Sequence, residues 1–356
     1  MKPLAALALV LALGASAEQQ TSLKTQIDAS AQQWMKEYDV PSFAVGFIEN
    51  GKLAWTAVYG EQSPGVPASA KTLYNVASLT KPVAAETVLR LVSEGKIQLD
   101  EPMAAHWIDP DIAQNPWHKL LTPRLSLSHQ TGFTNWRYQT KNVLQFQWEP
   151  GTKTGYSGEG YEYVARFAEK KTGKRFEELA QQYVLDPIGM KGTSFTHRPW
   201  HEGRVAQPRG EKVKLPAKAP ERWSAADLLH TTVEDYSKFV INVMKADGLN
   251  APLAAQRLTM TRDTVQPGDV EKVCAMAKLT GCTATAGMGL GWEILNLNGE
   301  TIIRHGGSDP GFKSVAFFVP VKRKGVVVFT SGDNGSKIIR RVVEVLHPNP
   351  ILVAIL

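Results

Sequence analysis

Apolar side chains near the start of the chain follow first a helical and then a strand pattern. Between residues 21 and 40 they recur every three or four positions, which predicts a helix packed on a core. These positions are Leu23, Ile27, Ala31 and Trp34. Residues 42–60 contain two apolar runs that meet at Asn50-Gly51, a pair that favours the positive φ angles of a tight hairpin turn. We therefore expect a helix followed by two antiparallel strands.

The rest of the chain is mostly helical in pattern up to residue 285 and returns to strands afterwards. The main later segments are strands at residues 290–297, 300–307, 312–319 and 325–331 and an amphipathic helix over 336–347. Strands from both ends of a chain suggest one shared sheet. The predicted fold class is therefore α/β of the α+β kind, an antiparallel sheet from both termini flanked by helices, with an inserted helical region. Clefts commonly form where two such parts meet.

The first 17 residues have the features of a signal peptide. Lys2 carries a positive charge, residues 4–13 are an apolar run, and Ala15 and Ala17 supply the small residues of a cleavage site. This pattern predicts cleavage after Ala17 and a periplasmic or secreted protein; a buried N-terminal helix is the alternative. The apolar run is shorter than the roughly 20 residues that span a bilayer, so no transmembrane segment is expected.

Residues 18–347 are expected to form one domain after the signal peptide. Its sheet part comprises residues 18–65 and 286–347, and its helical part comprises residues 66–285. Residues 348–356 form a short apolar tail that is expected to pack against the body.

The composition excludes several classes of protein. With 43% hydrophobic and 21% charged residues, the chain is an ordinary globular protein. The net charge of +6 comes from scattered basic residues, which does not indicate a nucleic-acid partner. The two cysteines, Cys274 and Cys282, suit a small disulfide loop in an oxidising compartment, and their spacing does not suit zinc. No metal or other cofactor is expected, and the oligomeric state cannot be read from the sequence.

Ser78-Leu-Thr-Lys81 lies where a helix is expected to begin, with Pro82 in or just after its first turn. Residues three apart share a helix face, so the lysine amine can reach the serine hydroxyl. Free NH groups at a helix start also stabilise developing oxyanion charge. Helix capping by the serine is the alternative, and Ser93 to Lys96 repeats the same spacing. The motif therefore needs partners elsewhere in the chain.

Two later segments supply such partners. Tyr156-Ser-Gly158 lies in a glycine-rich loop, and its tyrosine would act as a base near neutral pH only if its pKa fell by up to about 3 units. His305-Gly-Gly307 ends an apolar strand, and glycines in a strand commonly mark close approach to the backbone. The NH of Ser308 and the NH of Ser78 are expected to form a two-donor oxyanion hole.

These three motifs, in this order, resemble those of the serine β-lactamase-related family, which includes class C β-lactamases, D-alanyl-D-alanine carboxypeptidases and family VIII esterases. The stretches LSLSHQTGF at 125–133, HTTVEDYSKF at 230–239 and SGDNG at 331–335 add to the likeness. The resemblance implies a β-lactamase/transpeptidase-like fold and an acyl-enzyme on Ser78. Lys81 and Tyr156 would share general-base and general-acid work, and which of them takes the first proton stays open.

Two departures from the family pattern bear on the substrate. Class C β-lactamases carry Tyr-x-Asn, whose asparagine binds the β-lactam amide, whereas this chain has Gly158. They carry Lys-Thr-Gly where this chain has His305, Gly306 and Gly307, so a permanent cation and a hydroxyl are missing. We therefore expect a small-molecule ester, amide or peptide substrate and weak or no β-lactamase activity. Trp136 and Trp148 are expected to pack in the interior rather than line the cleft.

Several alternatives remain at this point. A true β-lactamase or D-Ala-D-Ala carboxypeptidase would use the same nucleophile, and a non-catalytic relative would bind cell-wall peptide or a partner protein. An α/β-hydrolase is disfavoured because Gly-x-Ser-x-Gly is absent. A metal hydrolase is disfavoured because the eight histidines are scattered.

Overall fold

The computed structural model describes residues 3–213 and 217–356, with side chains from Glu18 onwards except those of Gln19 and Pro267. The side chains of the predicted signal peptide, residues 1–17, lie outside this description. The strands are β1 Ser42–Glu49, β2 Lys52–Ser63, β3 Val66–Pro67, β4 Tyr74–Asn75, β5 His230–Thr231, β6 Ala284–Met288, β7 Glu293–Leu297, β8 Glu300–Asp309, β9 Phe312–Val319 and β10 Lys324–Thr330.

Eight of these strands form one antiparallel sheet in the order β3-β2-β1-β10-β9-β8-β7-β6. Because β1 pairs directly with β10, the two ends of the chain meet at the centre of the sheet, which confirms the predicted fold class. Asn50 and Gly51 turn the chain at φ angles of +54° and +71°. Strand β6 was not expected; its small, half-buried residues lack the alternation of large apolar and polar side chains that identifies a strand.

The α-helices are α1 Pro3–Tyr38, α2 Thr80–Ser93, α3 Pro123–Leu127, α4 Gly158–Thr172, α5 Phe176–Ala180, α6 Asp186–Ile188, α7 Val233–Lys245, α8 Ala251–Arg257, α9 Pro267–Met276, α10 Gly335–Leu346 and α11 Pro350–Ala354. Among the described residues, none of these helices is long and apolar enough to cross a membrane.

The sheet is covered on both faces. Along β1, Phe43, Val45 and Phe47 belong to the core shared with α1, α10 and α11, whereas Ala44 and Ile48 belong to the core shared with the inserted helices. This alternation follows from the two-residue period of a strand. The turn Ala77–Leu79, which precedes α2, packs on the interior strands β8 and β9 of this sheet.

Candidate active site

Ser78 lies in a turn of 3₁₀ helix, Ala77–Leu79, that leads into α2. Ala77 has a φ of +47°, a left-handed conformation that costs a non-glycine residue about 1–2 kcal/mol. Its amide donates to Asn75 Oδ1 at 2.7 Å, and the hydroxyl of Ser314 donates to the carbonyl of Val76 at 2.7 Å. Neighbouring segments thus hold the serine in a strained backbone.

The capping alternative does not fit this geometry. The helix-capping positions of the turn and of α2 are Val76 and Leu79, and neither helix start has a side-chain capping hydrogen bond. The second Ser-x-x-Lys pair lies at the far end of α2, where Ser93 Oγ accepts from the amide of Asn250 and Lys96 pairs with Glu94. The same spacing therefore serves different purposes at the two ends of one helix.

Lys81 is completely buried and donates to Ser78 Oγ at 3.1 Å. It also donates to the carbonyl of Ala226 at 2.9 Å. Burial lowers the pKa of Lys81 to about 8, although the nearby carboxylates of Asp227, Glu162 and Asp309 oppose the shift. A neutral amine within hydrogen-bond distance of a hydroxyl can accept its proton.

Tyr156 reaches the same serine, and its hydroxyl hydrogen-bonds to Ser78. The Lys81 ammonium lies 4.7 Å from the centre of the phenol ring. Desolvation nevertheless raises the pKa of Tyr156, and the hydrogen bond to Ser78 only partly offsets this. The side chain is 42% exposed overall, where the ring borders the cavity. The lowered pKa that a tyrosine base requires is therefore not found, and the phenol stays protonated.

His305 is buried at the end of β8, with its ring centre 6.1 Å from that of Tyr156. Its Nδ1 donates to the carbonyl of Gly306 at 2.8 Å. Burial and the charge of Lys81 lower the pKa of His305 to about 3, so the imidazole is neutral at physiological pH. It supplies no cation to a substrate carboxylate.

Gly307 allows β8 to approach the nucleophile turn. A Cβ atom at this position would lie 2.3 Å from the carbonyl oxygen of Val76 and 3.2 Å from the amide of Ser78. Strand β8 pairs with β7 up to Arg304. Beyond that residue, positions 305–309 pair with β9. Ser308 is the next residue after Gly307, so its backbone lies beside the point where β8 approaches the nucleophile turn.

A cavity of about 500 Å³ lies over Ser78, Tyr156 and the end of β8. Asp227, Asp309 and the ion pair of Arg304 with Glu293, at 3.0 Å, line it. Burial and the charge of Asp227 raise the pKa of Asp309 to about 6. Lys313 also lines the cavity, and its ammonium donates to the carbonyl of Asp309 at 3.2 Å. The charged lining therefore consists of two carboxylates, one ion pair and one lysine. The sequence analysis missed Asp227 because no motif surrounds it.

Gly158 and Trp136 meet at the wall of this cavity. A Cβ atom on Gly158 would lie 2.7–2.9 Å from carbons of the Trp136 ring, so the indole occupies the space beside the glycine. The expectation that Trp136 packs in the interior is wrong, because it lines the cavity. Trp148 is half-buried and packs against Gly155 and Gly132.

Cys274 lies in α9 and Cys282 just before β6, and neither lines this cavity. The Sγ atoms of Cys274 and Cys282 lie at disulfide distance, with their Cα atoms 5.7 Å apart. Within residues 3–213 and 217–356, no group of three or more His, Cys, Asp or Glu side chains is arranged to hold a metal ion.

Comparison with known proteins identifies relatives along most of the chain. The family model described as beta-lactamase matches residues 27–345. A beta-lactamase of Escherichia coli K12 is 21% identical over 340 residues, which cover 83% of this chain and 85% of the relative. The D-alanyl-D-alanine-carboxypeptidase/endopeptidase AmpH of the same organism is 23% identical and covers 76% of this chain and 74% of its own length.

Two further similarities extend this comparison. Esterase EstB of Burkholderia gladioli is 24% identical over 55% of this chain and 60% of the esterase. The octameric penicillin-binding protein homologue from Pyrococcus abyssi superposes with a TM-score of 0.74 and 20% identity, covering 92% of this chain and 78% of the homologue. That likeness concerns the fold.

Proposed function

This chain belongs to the beta-lactamase family and is a serine hydrolase, and from that premise we propose an acyl-enzyme on Ser78. The substrate is an ester or an amide or peptide, and β-lactamase activity is weak or absent. The observation that carries the proposal is the 3.1 Å contact between Ser78 Oγ and Lys81, a buried lysine whose pKa is lowered to about 8.

The pKa directions support one order of proton transfers. Neutral Lys81 takes the proton of Ser78 Oγ as that oxygen attacks the carbonyl carbon. The NH groups of Ser78 and Ser308 stabilise the oxyanion. Tyr156, kept protonated by its raised pKa, gives its proton to the leaving group as the scissile bond breaks and regains one from the Lys81 ammonium. Water then attacks the acyl carbon and gives one proton to the neutral lysine. The bond between that carbon and Ser78 Oγ breaks, and the Lys81 ammonium returns the proton to Ser78 Oγ, which restores the hydroxyl and the neutral amine.

The cavity lining supports a substrate that is not strongly anionic. His305 is neutral and Arg304 is paired with Glu293. In the lining, the carboxylates of Asp227 and Asp309 outnumber the ammonium of Lys313, which already donates to the carbonyl of Asp309. Class C enzymes have an asparagine at the motif position of Gly158, and in this chain the indole of Trp136 fills the space beside that glycine. Loss of one charge-assisted contact costs about 1.5–3 kcal/mol, roughly ten- to a hundredfold in rate. Ester turnover is therefore favoured over β-lactam turnover.

The test compares three substrates on one preparation: p-nitrophenyl butyrate, a chromogenic cephalosporin and a D-Ala-D-Ala peptide. We expect kcat/KM for the ester to exceed that for the cephalosporin by at least about tenfold. Equal turnover of cephalosporin and ester would contradict the argument from Gly158 and His305. Binding of the peptide without turnover of any substrate would identify a non-catalytic binding protein instead.

We also propose that the protein is exported, with residues 1–17 removed and Cys274 joined to Cys282. The signal-like composition of residues 1–17 and the sulfur positions support this. Mass spectrometry of the protein purified from cell fractions, without reducing agent, tests both points. A mature N-terminus at Glu18 and a linked pair of cysteine peptides are expected, and a cytoplasmic protein retaining residues 1–17 would contradict the proposal.

A further inference from the structure

His129 follows α3 and holds the chain on both sides of Tyr156. Its carbonyl accepts from the amide of Gly155 at 2.8 Å, and its Nδ1 accepts from the amide of Ser157 at 3.0 Å. The two residues that flank the tyrosine are thus hydrogen-bonded to a single residue. His129 is 1% exposed, and its φ is +57°, a conformation that histidine and asparagine tolerate better than most residues.

The imidazole also packs on the phenol of Tyr156. The two ring centres are 4.3 Å apart and the rings are stacked at 29°. The ring of Tyr161 lies 5.1 Å from the imidazole, and its hydroxyl donates to the carbonyl of Leu127 at the end of α3. The face of the catalytic tyrosine therefore rests on a group that is itself fixed to the protein.

The hydrogen bonds define which nitrogen of His129 carries the proton. Because Nδ1 accepts from a backbone amide, the proton is on Nε2, and Nε2 is buried without a hydrogen-bond partner among the described residues. A phenylalanine would stack on Tyr156 without leaving a buried NH unpaired. What the imidazole adds is therefore the Nδ1 lone pair.

The surroundings of His129 keep this lone pair unprotonated. The side chains facing His129 are Lys81 of α2, His305 of β8, Tyr161 of α4 and Tyr156. Burial, followed by the charge of Lys81, lowers the pKa of His129 well below its ordinary value. The imidazole thus remains a neutral acceptor.

We propose that His129 is a positioning residue whose Nδ1 acceptor holds the Tyr156 loop so that the phenol reaches Ser78. The inference rests on the proposed role of Tyr156 in proton transfer. Without the acceptor, the amide of Ser157 is left buried and unpaired, the loop relaxes, and the phenol moves away from the serine. A displacement of about 1 Å at a reacting group costs on the order of a hundredfold in rate.

Two substitutions separate the acceptor from the ring. His129→Phe keeps the stacked ring and removes the acceptor. His129→Asn keeps an acceptor oxygen close to the position of Nδ1, suits the left-handed backbone and removes the ring. We expect kcat for p-nitrophenyl butyrate to fall about 30- to 100-fold in His129→Phe, with KM changed less than about threefold, and to fall less than about fivefold in His129→Asn. Thermal melting monitors folding of each variant.

A double-mutant cycle with Tyr156→Phe tests whether His129 acts through the tyrosine. The rate of fluorophosphonate labelling of Ser78 is measured for all four proteins of the cycle. His129→Phe is expected to slow labelling about 30- to 100-fold when Tyr156 is present and less than about threefold further in the Tyr156→Phe background. An equal effect in both backgrounds, equal losses in the two His129 variants, or no loss in His129→Phe would overturn the inference. If His129→Phe does not fold, His129→Leu takes its place in the same cycle. A failure of the proposed function can be told apart from a failure of this inference. In that case Ser78→Ala or Tyr156→Phe would keep full activity.

Discussion

The ionisation of Lys81 predicts how the first chemical step depends on pH. The amine accepts a proton from Ser78 only when it is neutral, and burial lowers its pKa from 10.5 to about 8. At pH 7 about one-tenth of the molecules then have a neutral lysine, and at pH 8 about half do. The acylation rate should therefore rise nearly tenfold from pH 6 to pH 7 and level off above pH 9.

The rate of Ser78 labelling by a fluorophosphonate at subsaturating probe, measured between pH 6 and pH 9.5, reports this step directly. Asp227 raises the pKa of Lys81, so Asp227→Asn should move the inflection to lower pH. Lys81→Arg keeps the charge but removes the base, and should lower the rate by about 10²- to 10⁴-fold. Lys96→Arg is the matched control, because Lys96 occupies the same spacing after Ser93 and pairs with Glu94.

The reasoning fails if the profile is flat from pH 6 to pH 9. It also fails if the rate still rises about tenfold per pH unit up to pH 9.5, as it would for a lysine of ordinary pKa, or if Lys81→Arg keeps more than about a tenth of the rate.

Two further predictions concern the cavity wall and acid stability. The double variant Trp136→Ala with Gly158→Asn should raise the ratio of cephalosporin to ester turnover about tenfold or more over Trp136→Ala alone. The reason is that the asparagine presents an amide in the space that the indole has left. An unchanged ratio would show that the missing amide does not determine the substrate preference. Burial lowers the pKa of His230 from 6.5 to about 4. Between pH 6.5 and pH 4 the unfolded state therefore binds more protons than the folded state. This group's contribution to the free energy of unfolding is fully present above pH 6.5 and falls by up to about 3 kcal/mol towards pH 4. Urea unfolding at pH 7 and pH 4.5 checks this. His230→Asn should reduce the loss of stability between these pH values by roughly 2–3 kcal/mol and leave the part due to the other buried histidines, such as His305 and His129. An unchanged loss in His230→Asn would refute it.

The main features of the sheet could be predicted because they are encoded locally. The pairs Asn50-Gly51 and Asn298-Gly299 mark the hairpins at either end of the chain, and both adopt positive φ angles. Likewise Ser78 and Lys81 lie on one turn, so their contact follows from their spacing. Strand β6 has no such signal, because its side chains are small.

The environment of the site could not be predicted from the motifs. Trp136 reaches Gly158 from a loop 22 residues earlier, and no periodic pattern reports such a contact. The pKa of Tyr156 moves upwards because desolvation outweighs the nearby hydrogen bond, and desolvation depends on the folded chain. His129 lies within a stretch that resembles the family, yet its three contacts with the Tyr156 loop appear only in three dimensions.

The most direct test of the central claim is labelling of the folded protein with a fluorophosphonate probe, followed by peptide mass spectrometry. The account predicts one modified site, Ser78, with labelling abolished in Ser78→Ala and retained in Ser93→Ala, the matched Ser-x-x-Lys control on the same helix. Labelling that persists in Ser78→Ala, or no labelling of the folded protein, would contradict an acyl-enzyme on Ser78.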